Sequence, residues 1–175
     1  MKLLLFLLFF SISSISFASN NDFVKMIQSC SANIQKNLDS KDYIPIDLIL
    51  AQAILESNWG KSRFAIEGNN FFGIRTWDSK RRQLKPLKNP NANFGLVVYK
   101  TPCDSVSDYI DNLNKSDNYQ IFRDIRRIEL ALWGHVDAIS LANGLRSYSE
   151  QKSLYISKVK KKIRIIRKRG YLDSL

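Results

Sequence analysis

Apolar residues recur at helical spacing along much of this chain, and they are densest between residues 45 and 55. Within that stretch the apolar positions follow one another at intervals of three and four: Ile46, Ile49, Leu50, Ala53 and Ile54. This period predicts a helix, and further apolar residues widen its face until little is left for solvent. Pro45 suits the first turn of this helix, and Gly60 suits its end. The pattern therefore predicts an interior helix.

The same analysis divides the rest of the chain into helices and one small β-rich region. Helical periods cover residues 22–38, 102–113, 119–132, 136–142 and 149–169. Asp22 and Thr101 fit the cap positions of the first two of these helices. Residues 71–77 and 94–100 are rich in aromatic and β-branched side chains, which favours two strands of a hairpin. The predicted fold class is mainly α, with a small β-hairpin lobe that borders a cleft.

Glu56 lies in the last turn of the predicted interior helix. The negative end of the helix dipole and the apolar neighbours both favour the protonated carboxyl, so we expect the pKa of Glu56 to be raised. A general acid that works near neutral pH needs such a pKa. A surface glutamate that ends a helix is the alternative interpretation.

Two motifs beside this glutamate carry a family resemblance. Glu56-Ser57-Asn58-Trp59-Gly60, followed by Gly68-Asn69-Asn70-Phe71-Phe72-Gly73-Ile74, resembles the signature of bacterial glucosaminidase domains, glycoside hydrolase family 73, and most closely its Bax-like branch. The resemblance implies a lysozyme-like α+β fold in which Glu56 is the general acid. The first motif by itself would also fit lytic transglycosylases.

The resemblance also implies a set of substrate-binding residues. It makes Asn69, Asn70, Phe71 and Gly73 the floor of a sugar groove and adds Trp59 to the same set. Asparagine amides can bond sugar hydroxyl or acetamido groups, aromatic rings can pack on pyranose faces, and glycine lets the backbone approach a ligand. The alternative is a turn held by the asparagine side chains, with the phenylalanines in the core.

Tyr148 lies in the stretch Leu145-Arg146-Ser147-Tyr148-Ser149-Glu150, which resembles a late motif of the Bax-like branch. The resemblance places Tyr148 beside the cleft, opposite Glu56. A phenol there can orient the acid or donate a hydrogen bond to the acetamido group of the substrate. A core tyrosine tethered by its hydroxyl is the alternative.

The second catalytic group is where the chain departs from the family. Many of these enzymes carry a second glutamate in the hairpin lobe, but this chain has no glutamate between Glu67 and Glu129, and Asp78 is the only acid in the hairpin segment. Asp78 could activate water, with a separation from Glu56 of about 5–5.5 Å for retention or about 6.5–9.5 Å for inversion. Alternatively, the acetamido group of the substrate assists, or the protein binds without cleaving.

The N-terminus predicts export. Residues 1–18 combine Lys2, an apolar run over residues 3–10, and small residues at Ser16 and Ala18 that allow signal peptidase to cleave after Ala18. An uncleaved anchor is the alternative. About 157 residues, numbers 19–175, would remain as a single glucosaminidase-like domain with a basic C-terminal helix. We expect this domain in the periplasm or cell envelope, or secreted.

Cysteine and histidine counts limit the cofactor chemistry. Cys30 and Cys103 fit an oxidising compartment, where they could form a disulfide or remain buried thiols. Two cysteines and one histidine make a zinc site improbable. We therefore predict neither a metal nor another cofactor.

The formal net charge of +11 predicts an anionic partner. Cations are concentrated in the last predicted helix, which favours docking on an anionic wall polymer or membrane surface, with a solvated basic face as the alternative. Nucleic acid is not expected, because the chain carries no recognised binding motif and export argues against it.

The predicted function is hydrolysis of the β-1,4 bond after N-acetylglucosamine in peptidoglycan glycan strands, by a monomer. A lytic transglycosylase and a non-catalytic, cationic wall-binding protein are the alternatives.

Overall fold

The computed structural model describes Phe17 and residues 19–173, so the predicted leader lies outside the described residues except for Phe17. Seven α-helices are present in this part of the chain: α1 Asn20–Gln35, α2 Ile46–Ser57, α3 Arg63–Gly68, α4 Pro102–Lys115, α5 Gln120–Trp133, α6 Ala138–Leu141 and α7 Ser153–Lys168. Short 3-10 helices cover Ser40–Asp42, Asp117–Tyr119 and Ala142–Leu145. The three strands are β1 Arg75–Thr76, β2 Gln83–Leu84 and β3 Gly95–Val97. The prediction of a mainly α fold with a small β lobe is confirmed.

Helix α2 lies at the centre of the fold, between α1 and α7. Every residue from Leu48 to Ala53 is fully buried, which confirms the predicted interior helix. The helix ends at Ser57, and the left-handed residue that ends it is Asn58, with φ of 51°, instead of the predicted Gly60. Asparagine tolerates this conformation because its short polar side chain can bond locally.

A disulfide and two side-chain caps fix α1 and α4. Cys30 and Cys103 form a disulfide that joins the two helices, which decides between the pairing and the free thiols that the sequence left open. Thr101 caps α4 in a reciprocal capping box with Asp104, as predicted. Helix α1 is capped by Ser19, whose hydroxyl accepts from the backbone N–H of Asp22, so the prediction of Asp22 as the cap was wrong.

The β lobe is a three-stranded antiparallel sheet in the order β1-β3-β2. Arg75 is paired with Leu96, and Gln83 is paired with Val97. The predicted pair, β1 and β3, is confirmed, although both strands are shorter than their apolar patterns. Strand β2 was missed because it is only two residues long and lies in a basic loop without any period.

Helix α7 is the main packing partner of α2. It begins at Ser153 and not at the predicted Ser149, because residues 149–152 form a turn. Near its other end, Arg167 forms ion pairs with Asp47 of α2 and with Asp137, at 2.7 and 2.9 Å. This double pair holds the ends of α2 and α7 that lie farthest from Glu56.

The fully buried apolar core begins at Phe23 and ends at Ile166, so protein that starts at Ser19 retains all of it. Phe17 adds an edge-on contact with the Phe23 ring at the margin of this core. In the described ranges, no helix is both long enough and apolar enough to cross a membrane.

Candidate active site

A cleft of about 1160 Å³ separates the β lobe from the helices. Its wall on the β-lobe side includes Gly73, Arg75 and Trp77, and its helical wall includes α4 and the start of α7. Glu56 lies on the floor, where α2 ends. The cleft is large and open to solvent, which suits a polymer better than an isolated small molecule.

Glu56 has the environment that the sequence predicted. Burial raises the pKa of its carboxyl, while a hydrogen bond from Tyr155 and the nearby charge of Arg75 partly oppose that rise. The negative end of α2 also disfavours the carboxylate. The net direction keeps the group protonated to a higher pH than an ordinary glutamate, as a general acid requires.

A chain of buried hydrogen bonds positions this acid. The Tyr109 hydroxyl donates to Gln52 Oε1 at 2.6 Å, and Gln52 Nε2 donates to the Tyr155 hydroxyl at 2.8 Å. Tyr155 in turn donates to the Glu56 carboxyl group. Because Gln52 is one helical turn before Glu56, both side chains lie on the same face of α2. We call Tyr109, Gln52 and Tyr155 the acid-positioning network.

Sequence reasoning missed this network, although Gln52 offered a signal. It is a polar residue inside an otherwise apolar helix, four residues before the acid, and it is fully buried. A buried amide requires hydrogen-bond partners, which points to other polar side chains around it. Their identities, Tyr109 and Tyr155, depend on how α4 and α7 pack against α2.

Tyr148 lines the cleft, and its hydroxyl is bonded to the backbone. It donates to the backbone oxygen of Phe72 at 2.8 Å. Its ring lies parallel to the ring of Tyr155, with centroids 5.5 Å apart and an angle of 3°. Tyr148 therefore supports Tyr155 and the chain before Gly73. Its hydroxyl is tethered as in the alternative interpretation, while its half-buried side chain lines the cleft beside the acid.

Gly73 lies directly across from the acid. Its φ of +67° is unfavourable for other residues, and a Cβ there would lie 3.4 Å from Glu56 Oε2. The bare backbone leaves the carboxyl group open to the cleft. This position fits the predicted substrate-binding role of Gly73.

The predicted groove residues Asn69, Asn70 and Phe71 do not line the cleft. Asn70 accepts a hydrogen bond from the Ile74 N–H at 3.0 Å and donates to the backbone oxygens of Ile74 and Val97 at 2.9 Å. Asn69 donates to two backbone oxygens that follow β3. Phe71 is fully buried. The segment is thus the asparagine-held turn of the alternative, and it positions Gly73 by joining the helices to the sheet.

Trp59 and Asp78 also lie outside the cleft lining. The Trp59 ring packs beside Phe23 and Tyr171, so it supports the core instead of a sugar. The exposed Asp78 accepts from the Lys80 backbone N–H at 2.9 Å, which is the bond of a turn residue. The structure therefore does not bring Asp78 together with Glu56.

Trp77 is a cleft residue that the sequence analysis did not single out. Its side chain is 63% exposed and lines the β-lobe wall. An exposed aromatic face in a glycan-sized cleft can pack against a pyranose ring. The sequence placed Trp77 in a strand but could not show which face it occupies.

Three acids besides Glu56 line the cleft, and each has another partner or full access to water. Asp108 accepts from Tyr99 at 2.6 Å and Arg81 at 2.7 Å. Asp111 pairs with a lysine at 2.8 Å. The Glu150 side chain is 95% exposed. For Glu56, burial at the end of α2 raises the pKa of the carboxyl.

The side chains that commonly bind metal ions do not form a metal site in the described residues. Over Phe17 and residues 19–173, no three His, Cys, Asp or Glu side chains form a group that could hold a metal ion.

Comparison with known proteins defines the class of this fold and site. The model of the Glucosaminidase family, described as "Mannosyl-glycoprotein endo-beta-N-acetylglucosaminidase", matches residues 32–171, and the chain therefore belongs to this family of glycoside hydrolases. The chain is 29% identical over 118 residues to "Protein bax" of Escherichia coli (strain K12), an alignment that covers 67% of this chain and 41% of the relative. It is also 55% identical over 31 residues to a "Putative endo-beta-N-acetylglucosaminidase" of Streptococcus pneumoniae serotype 4, covering 18% of this chain and 5% of the relative. The chain thus spans less than half the length of these curated relatives.

Solved structures share the fold. A peptidoglycan hydrolase from Sphingomonas sp. A1 superposes with a TM-score of 0.62 at 22% identity, over 88% of this chain and 94% of that one. The glycoside hydrolase domain of Salmonella typhimurium FlgJ gives 0.61 at 20% identity, over 89% and 93%. The catalytic domain of the autolysin Auto from Listeria monocytogenes gives 0.58 at 20% identity, over 91% of each chain. The lysozyme-like fold expected from the motifs is confirmed.

Proposed function

We propose that this protein is a peptidoglycan hydrolase that cleaves the β-1,4 bond after N-acetylglucosamine, with Glu56 as the general acid. The observation that carries the proposal is the position of Glu56, a carboxyl of raised pKa at the end of an interior helix on the floor of an open cleft. Family membership and the fold shared with peptidoglycan hydrolases support the substrate.

In the proposed mechanism, protonated Glu56 gives its proton to the glycosidic oxygen as positive charge develops on the sugar ring. Tyr155 holds the carboxyl group and stabilises the carboxylate left behind, because its hydroxyl donates a hydrogen bond to it. The open backbone at Gly73 lets the glycosidic oxygen approach the acid. Trp77 would carry a neighbouring sugar on its exposed face.

The step after protonation does not need a second buried carboxylate. The sugar cleaved in this proposal carries an acetamido group, whose oxygen can attack the anomeric carbon and form a cyclic intermediate that water then opens. We infer this substrate-assisted route over the Asp78 route, because Asp78 is bonded within its own turn and does not line the cleft. Asp78→Asn should accordingly retain most of the activity of the parent protein.

A lytic transglycosylase remains the second candidate, for one specific reason. Burial raises the pKa of Glu56 in the cleft, and transglycosylation by intramolecular attack also requires a single acid. The products separate the two reactions, since hydrolysis after N-acetylglucosamine leaves a reducing N-acetylglucosamine end and transglycosylation leaves a 1,6-anhydro-muramyl end.

The decisive experiment is mass spectrometry of borohydride-reduced peptidoglycan after incubation with protein that starts at Ser19. We expect new reduced N-acetylglucosamine ends, which Glu56→Gln abolishes while circular dichroism and binding to peptidoglycan are retained. Glu67→Gln is a matched control, because Glu67 is a surface residue paired with Arg63 at 2.9 Å. Near-parental turnover by folded Glu56→Gln protein would refute the assignment of the acid. An unchanged digest with the parent protein would favour the non-catalytic binding protein.

The cellular setting belongs to the same proposal. A wall hydrolase acts outside the cytoplasm, and the leader predicted for residues 1–18 would bring it to the periplasm or cell envelope. We propose a monomer, since the cleft and its acid are complete within one chain.

A further inference from the structure

Helix α5 buries two charged side chains beside Phe122 and leaves several large apolar side chains exposed. The residues it buries are Phe122, Arg126 and Glu129. Its exposed residues include Ile128, Leu132 and Trp133, whose exposed fractions are 49%, 65% and 62%. Adjacent exposed apolar side chains of this size mark an interaction surface more often than an ordinary monomer surface.

Specific contacts of the buried charges hold α5 in this orientation. Arg126 donates to Asn114 Oδ1 at 2.7 Å and approaches Asp42 at 3.5 Å. Glu129 accepts a hydrogen bond from the Asp137 backbone N–H at 2.9 Å. Rotating α5 to bury its apolar face would leave both charges without these partners, which is costly in a low dielectric. The apolar face is therefore a built feature of the surface.

This face lies at the end of the molecule away from the cleft. The buried Glu129 binds Asp137, and Asp137 pairs with Arg167 near the end of α7. Tyr155, at the cleft, is separated from Arg167 by about 12 residues of α7, or about 18 Å of helix. The last turn of α5 is thus beside the distal end of α7, while the cleft is at the other end.

Cations of α7 lie at the same end of the molecule as the apolar face. Lys160 bonds Asn143, and Arg167 bonds Asp137, which shows that one face of α7 packs along α6 and the turn after it. Arg164 and Lys168 continue this row, at helical spacings of four from Lys160. Neither pairs with a carboxylate within the described part of the chain. We define the distal patch as Ile128, Leu132, Trp133, Arg164 and Lys168.

We propose that the distal patch docks this protein on the surface of an anionic phospholipid bilayer. Apolar side chains on one helix face can enter the boundary between headgroups and acyl chains, and neighbouring cations are attracted to anionic headgroups. A net charge of +11 opposes pairing with a second copy of the chain and favours an anionic partner. Docking through the distal patch would turn the cleft away from the bilayer and leave Glu56 free.

The test is co-sedimentation of protein that starts at Ser19 with vesicles of phosphatidylglycerol and phosphatidylcholine, and with vesicles of phosphatidylcholine alone. We expect binding to the anionic vesicles, and binding about tenfold weaker or less for Leu132→Gln/Trp133→Gln, since two apolar contacts are removed. Arg164→Gln/Lys168→Gln should weaken the binding and reduce its dependence on salt.

The matched control is Ile121→Gln, because Ile121 is exposed on the same helix but at the cleft end. It should bind like the parent, and all variants should keep the parental circular dichroism. Unchanged vesicle binding by folded Leu132→Gln/Trp133→Gln would overturn the proposal. Equal binding to both kinds of vesicle would also overturn it. A dimer in sedimentation equilibrium that Leu132→Gln/Trp133→Gln dissociates would overturn it as well.

Discussion

The acid-positioning network makes a quantitative prediction about coupling between two buried residues. Gln52 and Tyr109 are both fully buried, and they share one hydrogen bond of 2.6 Å. Tyr109→Phe leaves Gln52 Oε1 without this donor, and Gln52→Leu leaves the Tyr109 hydroxyl without its acceptor. The free energy of unfolding should fall by about 1–3 kcal/mol for each unsatisfied group.

The double variant should recover part of this loss. Gln52→Leu/Tyr109→Phe removes donor and acceptor together, so neither atom remains buried without a partner. We expect the double variant to be more stable than the sum of the single effects by about 1–2 kcal/mol. Urea unfolding at constant m-value measures this coupling. Additivity within about 0.5 kcal/mol would refute the reasoning.

Tyr99→Phe provides the control for this cycle. The Tyr99 hydroxyl donates to Asp108, outside the network, at 2.6 Å. Combined with Gln52→Leu, it should give additive effects on stability. The variants that carry Gln52→Leu should also lower turnover of peptidoglycan, because Tyr155 loses the Gln52 amide that orients its hydroxyl. Full turnover in the folded Gln52→Leu variant would show that the network has no part in positioning Glu56.

Three further predictions follow from the same structure. Because the folded state raises the pKa of Glu56, the native protein binds its proton more strongly than the unfolded chain, and stability is lost as pH rises through the folded pKa. The free energy of unfolding of Glu56→Gln, measured in urea, should therefore rise relative to that of the parent as pH increases from acid to neutral. A difference that stays constant with pH would contradict a raised pKa. Tyr155→Phe removes a bond that lowers the pKa of Glu56, so the alkaline limb of the rate profile should shift to higher pH, whereas a shift to lower pH would contradict the hydrogen bond. Cys30→Ser/Cys103→Ser opens a link across a sequence separation of 73 and should lose about 4 kcal/mol in urea unfolding, with a loss below about 1 kcal/mol contradicting the entropic argument.

The sequence predicted those parts of the fold whose signals are local and repeated. An apolar period of three to four residues predicts helix α2, and the sequence Thr-Pro predicts the start of α4. Both patterns depend only on residues that lie within a few helical turns of one another. Strand β2, with two residues in a basic loop, has no period to detect. Its pairing with β3 is a long-range contact that local pattern does not encode.

The segment Asn69 to Phe71 belongs to a motif that indicated the family correctly, but its predicted role in sugar contact does not fit the structure. The family resemblance assigns Asn69, Asn70 and Phe71 to sugar contact, and their chemistry suits a glycan. In the structure their amides satisfy backbone groups, and the ring enters the core. A buried backbone must find hydrogen-bond partners, and that requirement accounts for these residues without a ligand.

By itself, the sequence determined the interior helix and the acid at its end, since both follow from residues within one helix. The helix end and the apolar neighbours predicted a raised pKa, and the burial that raises it comes from tertiary packing. Tertiary structure decided what surrounds that acid: Tyr155 and Gln52 as its support, Gly73 across from it, and the apolar face of α5 at the other end of the molecule. The physical reason is that hydrogen bonds and exposure are set by which helix faces meet, and the meeting of α2, α4 and α7 depends on the whole packed core.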